Sequence, residues 1–335
     1  MRRLISVLGL ALFLAMGVLA VLPLFLIIGD VMFKGVSAIV KQLGSPWEFL
    51  AWLPPDPLAD RWGVGRLLVG TLYSLWEFLT RLPPDPFADR WGIGPLLVGT
   101  LYMTALGAVV GFIVGFPIGV YIGEMRKEAF ANVARASVNV LVEFPTITIG
   151  LFVYAVFVFV IEDLNRTLLS PLSEWLTSAL GDGVGQFIGP LGGYNAYAGA
   201  LALSIIMIPY VALVTASAYA SIPDSIREAA YSISGREFKA MFIVLRKAVS
   251  RAVLTAALLG TAKIAGETAP LLFTALGNIY YAPFTQATAA IPLWIWYAAQ
   301  TPYDVQIESA YGAAAVLLVI VLTLFAVAKL AAQKR

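Results

Sequence analysis

Residues 260–276 read GTAKIAGETAPLLFTAL, an apolar stretch that carries Lys263 and, four residues on, Glu267. Counted from Ser250 to Gly277, the two charges fall near the middle of a run long enough to cross a bilayer as a helix. A lysine near a helix end can carry its ammonium to the interface along its aliphatic stem, but from the midplane that reach fails. Each such charge costs about 2.5–3.5 kcal/mol at the centre of an inserted helix. Spaced i and i+4, both side chains leave the helix on one face. That face must look into protein or a wet cavity. The stretch therefore predicts a membrane protein that moves something polar across the bilayer.

The rest of the chain agrees. Of 335 residues 60% are hydrophobic and only 13% charged, and the mean hydropathy is +0.86. A soluble domain of this size is far more polar. The expected fold class is an all-α polytopic membrane protein. The net charge of +2 gives no reason to expect a nucleic acid partner. With no cysteine and no histidine, the chain lacks thiolate chemistry and the commonest general base and metal ligand. A membrane enzyme would need convergent catalytic groups, and so few intramembrane acids argue against one.

Six apolar runs predict transmembrane helices at about 4–29, 96–122, 138–161, 197–219, 250–277 and 306–329. Pro117 and Pro145 interrupt the second and third, which a packed membrane helix tolerates. The first run, Leu4 to Ile28, outlasts a signal h-region and ends in no small-residue cleavage pattern, so it reads as an uncleaved span. Arg2 and Arg3 then serve as an orientation anchor. Lysines and arginines gather at Arg126, Lys127, Arg135, from Arg227 to Arg251, and at Lys329, Lys334 and Arg335, whereas 162–196 is acidic. The positive-inside rule puts both termini and 221–250 in the cytoplasm and 34–95 outside. The organisation expected is an N-terminal helix (1–33), an extracytoplasmic segment (34–95) and a permease core (96–335).

The outer segment holds a tandem duplication, WEFLAWLPPDPLADRWGVGRLLVGTLY (47–73) and WEFLTRLPPDPFADRWGIGPLLVGTLY (76–102). The second LLVGTLY runs on into the second span. The first meets Ser74, Glu77 and Arg81 and is expected at the interface. Trp47, Trp52, Trp62, Trp76 and Trp91 suit an aromatic belt at the headgroups. A duplication inserted in a tolerant loop accounts for this pattern, with a docking surface for an extracytoplasmic partner as the other reading.

Residues 221–250, SIPDSIREAAYSISGREFKAMFIVLRKAVS, predict a cytoplasmic helix–turn–helix between two spans, with Gly235 at the turn. The segment resembles the EAA loop of ABC-importer permeases. Glu228, Ala229 and Ala230 match that pattern; Ser234 stands at its usual glycine, with Gly235 one later, and Arg246 replaces the proline after Leu245. The resemblance implies a type I importer permease whose loop is a coupling helix seated on an ATPase subunit. GETAPLLFTA (266–275), with GIGPLLVGTLY, GVYIGEM and VEFPTITIGLF, is similar to the PstA family, permease subunits of the phosphate (Pst) importer. The likeness covers roughly 1–45 and 76–335. It implies a PstC-like second permease, a PstB-like ATPase dimer that binds the ATP and magnesium, a PstS-like extracytoplasmic binding protein and inorganic phosphate as substrate. It also implies a prokaryotic plasma (inner) membrane location and no cofactor in this chain. No GxxxxGK[ST] phosphate loop occurs. Lys263 replaces the family's usual arginine, which keeps a cation but loses the bidentate fork. A permease for molybdate or sulfate, and a secondary carrier, are the alternatives; a carrier would show two related halves.

Two readings of the intramembrane pair stand. It is a gate, with Glu267 neutralising Lys263 until phosphate competes for the cation, or an ion pair that glues permease subunits together. Lysine before glutamate is the weaker i,i+4 order, so helix stabilisation explains it poorly. Pro270 is expected to bend the helix just beyond the charges. Glu143 reads as interfacial and Glu124 as the cytoplasmic end of the second span. Gly107, Gly111, Gly115 and Gly119 form a small-residue stripe for close helix packing.

Overall fold

The computed structural model describes residues 2–43, 75–87, 91–181, 191 and 193–333. The first repeat copy (47–73) lies outside them, with Trp47, Trp52 and Trp62. The described chain is helical, and its one β contact is an isolated bridge between Leu276 and Thr288. The helices are α1 (Arg2–Leu43), α2 (Gly94–Glu124), α3 (Ala129–Glu143), α4 (Thr146–Leu164), α5 (Ser170–Leu180), α6 (Ala196–Ala220) and α7 (Asp224–Ser234). They continue with α8 (Arg246–Ala265), α9 (Ala269–Thr274), α10 (Ile291–Ala298) and α11 (Asp304–Gln333). Among the described residues four helices are long and apolar enough to cross a membrane, Leu22–Gln42 within α1, α2, α6, and Asp304–Ala332 of α11, and the bent pair α3–α4 makes a fifth if counted as one span.

The core is the pair α2 and α6, packed parallel along the glycine stripe. A Cβ built on Gly107 would lie 2.9 Å from the Ala200 carbonyl oxygen, on Gly115 2.8 Å from that of Ile208, and on Gly119 2.5 Å from that of Ala212. Each step of four residues on α2 matches about four on α6, so only glycine lets the backbones meet along this seam. Gly123 extends the stripe one turn, against Ala216 and Tyr219. Asn195 starts α6 by accepting a 2.8 Å hydrogen bond from the Ala198 amide.

Two expected spans are corrected. The run 138–161 is not one helix, because α3 and the start of α4 meet at 101°. Pro145 holds the residue before it out of the helical region, and Phe144 sits at φ −69°, ψ 132°. The run 250–277 is also broken. α8 stops at Ala265, Gly266 caps it, and α9 begins at Ala269. Pro270 occupies the first turn of α9, where its missing N–H costs nothing. The break thus begins at Gly266, between Lys263 and Glu267, rather than beyond both charges as expected.

The first helix runs on to Leu43, past the expected end at 29, helped by an Asp30–Lys34 pair at 3.0 Å in the favourable i,i+4 order. It crosses α11 closely at Gly35, whose built Cβ would lie 2.4 Å from the Tyr311 carbonyl oxygen. In the second repeat copy, 75–80 is helical and the chain folds back on it, with Ile93 N–H donating to the Phe78 carbonyl at 3.0 Å. That return buries Trp91 edge-on against Phe78, with ring centroids 5.4 Å apart, and over Gly312. Trp91 is therefore an interior residue and not part of a headgroup belt, whereas Trp76 is exposed.

Candidate functional site

The site residues expected from the sequence lie in two groups at opposite ends of one helix. α8 is continuous from Arg246 to Ala265, about 25 Å from Arg246 to Lys263 at 1.5 Å per residue. It packs against α2, α6 and α11.

At its far end Lys263 and Glu267 do come together, the ammonium donating to Glu267 Oε1. The geometry differs from two rungs of one helix. Lys263 is in the last turn of α8, where a cation complements the helix dipole. Glu267 lies past the cap, its amide donating to the Ile264 carbonyl at 3.2 Å. The lysine side chain is 45% exposed and the glutamate 11%. The cation thus faces outward from this chain while its partner is sheltered. Depth follows from packing: Gly260, one turn before Lys263, lies against Met207 near the midpoint of α6, and Met207 meets Gly111 near the midpoint of α2.

The segment after the break is held firmly. Pro270 presses on Gly150 of α4, where a built Cβ would lie 2.6 Å from the proline Cα. Thr274 Oγ1–H donates to the Pro270 carbonyl at 2.9 Å, and the Thr274 carbonyl accepts from the Asn195 amide at 2.9 Å. The loop beyond passes Leu276, at φ 61°, and is fixed where Phe284 stacks on Tyr102 with centroids 3.7 Å apart. α9 and this loop therefore belong to the end of the bundle where α6 begins.

At the near end of α8 stands the connector. α7 ends at Gly235, whose φ of 66° is the left-handed conformation glycine adopts without strain. Ser234, at the motif's usual glycine, is in αR geometry and donates its hydroxyl to the Tyr231 and Arg236 carbonyls instead. Residues 237–245 continue helically, with Ala240–Leu245 wound as a π-helix, and enter α8 without a break at Arg246. Glu228 and Ala229 are exposed, while Ala230 is buried with Val120, Tyr219, Met241 and Leu245. The Glu-Ala-Ala triplet is thus split: two residues are open to a partner and the third anchors α7 to its own chain.

The sequence reading missed what fixes α7 to the bundle. Arg227 Nε and Nη2 donate to Glu124 at 3.0 and 3.3 Å, Nη1 donates to Asp224 Oδ1 at 2.6 Å, and Nη2 also donates to the Tyr219 carbonyl at 3.0 Å. One guanidinium thereby joins the ends of α2 and α6 to α7. The Glu124 side chain is 1% exposed and that of Arg227 14%. The Glu124 hydrogen bond, outweighing burial, lifts the Arg227 pKa above the usual arginine value. Glu124 does end α2, as expected, but as a buried acceptor. Glu143 is exposed at the α3–α4 bend. The only sequence signal for the clamp was a lone acid at the end of a span and an arginine beside the motif glutamate.

A polytopic helical bundle, an exposed connector helix rigidly clamped at one end and a charge pair halfway along its spans define a membrane permease component. Residues 115–334 match the family model described as binding-protein-dependent transport system inner membrane component. The probable phosphate transport system permease protein PstA of Methanocaldococcus jannaschii is 31% identical over 313 residues, which span 93% of this chain and 88% of that protein. The PstA of Xylella fastidiosa is 32% identical over 222 residues, 66% of this chain and 67% of that protein. The chain belongs to this transport-system permease family, within its PstA branch. A solved chain of the inward-facing MetNI methionine ABC transporter aligns with 71% of this chain and 93% of its own length, at 14% identity and a TM-score of 0.46.

Proposed function

We propose that the chain is the membrane-spanning permease half of an ATP-driven phosphate importer. Phosphate comes from the PstA relatives, which carry that substrate in their names. The observation that supports the mechanism is α8 itself, one unbroken helix with the connector at one end and Lys263 at the other. An ATPase subunit docks on the exposed Glu228 and Ala229, and ATP and magnesium are its ligands, not this chain's. Movement of α7 passes through the Arg227 clamp to α2 and α6 and through Met241 and Leu245 to α8. A second, PstC-like permease covers the open side of Lys263, and a PstS-like binding protein delivers phosphate from outside. Lys263 lowers the desolvation barrier of the anion, and Glu267 holds the cation until phosphate competes for it. Both termini lie in the cytoplasm of a prokaryotic cell, with the chain in its plasma membrane.

The test is Glu228→Arg. It reverses the charge on an exposed face and removes no hydrogen bond that positions α7 in this chain, so abundance and membrane insertion should stay near normal. Phosphate uptake should be lost. Uptake at the parental rate would reduce 221–250 to a basic loop.

A further inference from the structure

A groove of about 380 Å³ opens between α2 and the first half of α8. One end of it is polar, formed by Arg246, Lys247 and Ser250, and the other is apolar, formed by Phe112, Phe116 and Ala257 with Val253 and Leu254. Phe112 and Phe116 stack along its wall, with centroids 5.5 Å apart. No acid lines it. Among the described residues neither Arg246 nor Lys247 has an ion-pair partner.

The depth of the two cations follows from the helices themselves. Gly260 of α8 lies against Met207, near the midpoint of α6. Arg246 precedes Gly260 by fourteen residues of unbroken helix, about 21 Å along the axis at 1.5 Å per residue. The hydrocarbon half-thickness is about 15 Å and the headgroup zone ends at about 20–22 Å. Arg246 and Lys247 therefore stand at the level of the lipid phosphates, on the side that carries the connector. Ala257 and Phe112 lie within a turn of the central layer, at acyl-chain depth.

We infer that this groove binds one anionic phospholipid of the inner leaflet, its phosphate diester on Arg246 and Lys247 and an acyl chain along Phe112, Phe116 and Ala257. A free phosphate ion would use the cations but leave the apolar wall empty. A zwitterionic lipid would fill the wall and bring the same phosphate diester, but its own ammonium competes with Arg246 and Lys247 for that phosphate, so a lipid of net negative charge is favoured. Basic pockets between spanning helices on the cytoplasmic side hold anionic headgroups for this reason. The site is distinct from Lys263 and Glu267, and it sits where α8 leaves the connector, so its occupant bears on the helix that links the two.

The experiment is native mass spectrometry of the full chain, released from detergent with phosphatidylglycerol and phosphatidylcholine in competition. The parent should retain phosphatidylglycerol selectively, and an excess of inorganic phosphate should not displace it. Arg246→Gln with Lys247→Gln should lower that selectivity roughly 30-fold, from about 1 kcal/mol per cation at the surface. Ala257→Phe, which fills the apolar end and keeps both charges, should lower phosphatidylglycerol retention as well. Lys127→Gln with Lys329→Gln removes two exposed cations elsewhere and should leave it unchanged. Equal retention of both lipids by the parent, displacement by inorganic phosphate, no effect of the groove variants, or an equal loss in the Lys127/Lys329 variant would each overturn the site.

Discussion

Arg227→Met removes the guanidinium that joins α2, α6 and α7 but keeps an unbranched side chain of similar reach. It leaves the Glu124 carboxylate, 1% exposed, without its two charged hydrogen bonds. Stripping one partner from a buried pair costs about 3–5 kcal/mol, because the remaining charge stays desolvated. Glu124→Gln is milder. The amide can still accept from Arg227, which also keeps Asp224 and the Tyr219 carbonyl, so the loss is about 1–3 kcal/mol. The double variant removes the stranded charge, so its cost should fall short of the sum by about 2–3 kcal/mol, as for residues in direct contact. The assay is equilibrium unfolding of the purified chain in mixed micelles, read as a double-mutant cycle. A coupling energy below about 0.5 kcal/mol would place the two residues among independent sites. It would remove the clamp from the path between connector and spans.

Gly119→Val should lower membrane abundance sharply, since its Cβ would lie 2.5 Å from the Ala212 carbonyl oxygen and 2.6 Å from Thr215 Cβ, an overpacking cost of about 1–3 kcal/mol or more. Gly266→Ala, at φ −99° with no atom within 4 Å of its built Cβ, should leave abundance unchanged, both variants being read by immunoblot of membranes. In phosphate-uptake assays Lys263→Ala should abolish transport and Lys263→Arg preserve it, because a guanidinium still offers the anion charge and donors. Lys263→Ala with Glu267→Gln separates gate from glue: uptake restored together with abundance defeats the gate.

How far the sequence could be read depended on whether the deciding contact was local. α2, α6 and the last helix were legible because twenty or so apolar residues have few alternatives in a bilayer. The glycine stripe was legible because residues four apart share a helix face whatever packs on it. The two breaks were not. Pro145 and Gly266 both signal a possible interruption, yet a membrane helix accommodates either when neighbours satisfy the freed backbone groups. Only the packing of α3 on α6, and of Pro270 on Gly150, decides for the bend. Ala230 was read as part of a surface for a partner; burial in its own chain is a tertiary fact that the triplet does not carry. The Arg227–Glu124 contact spans 103 residues of sequence, and no local pattern points across such a distance.

The position of the second break changes what the charge pair can do. On one continuous helix, Lys263 and Glu267 would move together, and no displacement of the connector could separate them. In the structure the helix ends between them, and one backbone hydrogen bond, from the Glu267 amide to the Ile264 carbonyl, still ties Glu267 to α8. Lys263 is at the end of α8, which is continuous through the π-helical turn at Ala240–Leu245 with 237–239 and meets α7 across the Gly235 turn. Glu267 precedes α9, which is tied to α4 at Gly150 and to the start of α6 at Asn195. Gly266 lies between, with no atom within 4 Å of its built Cβ, so side-chain packing there does not oppose a shift of α8 along its axis. An unbroken helix transmits such a shift with little loss, since packed elements have discrete arrangements and do not deform continuously. In the proposed importer, the contacts that lengthen when an ATPase displaces α7 are therefore the single bond from the Glu267 amide to Ile264 and the Lys263–Glu267 pair. That separation would free the cation for phosphate at the moment the nucleotide cycle moves the connector.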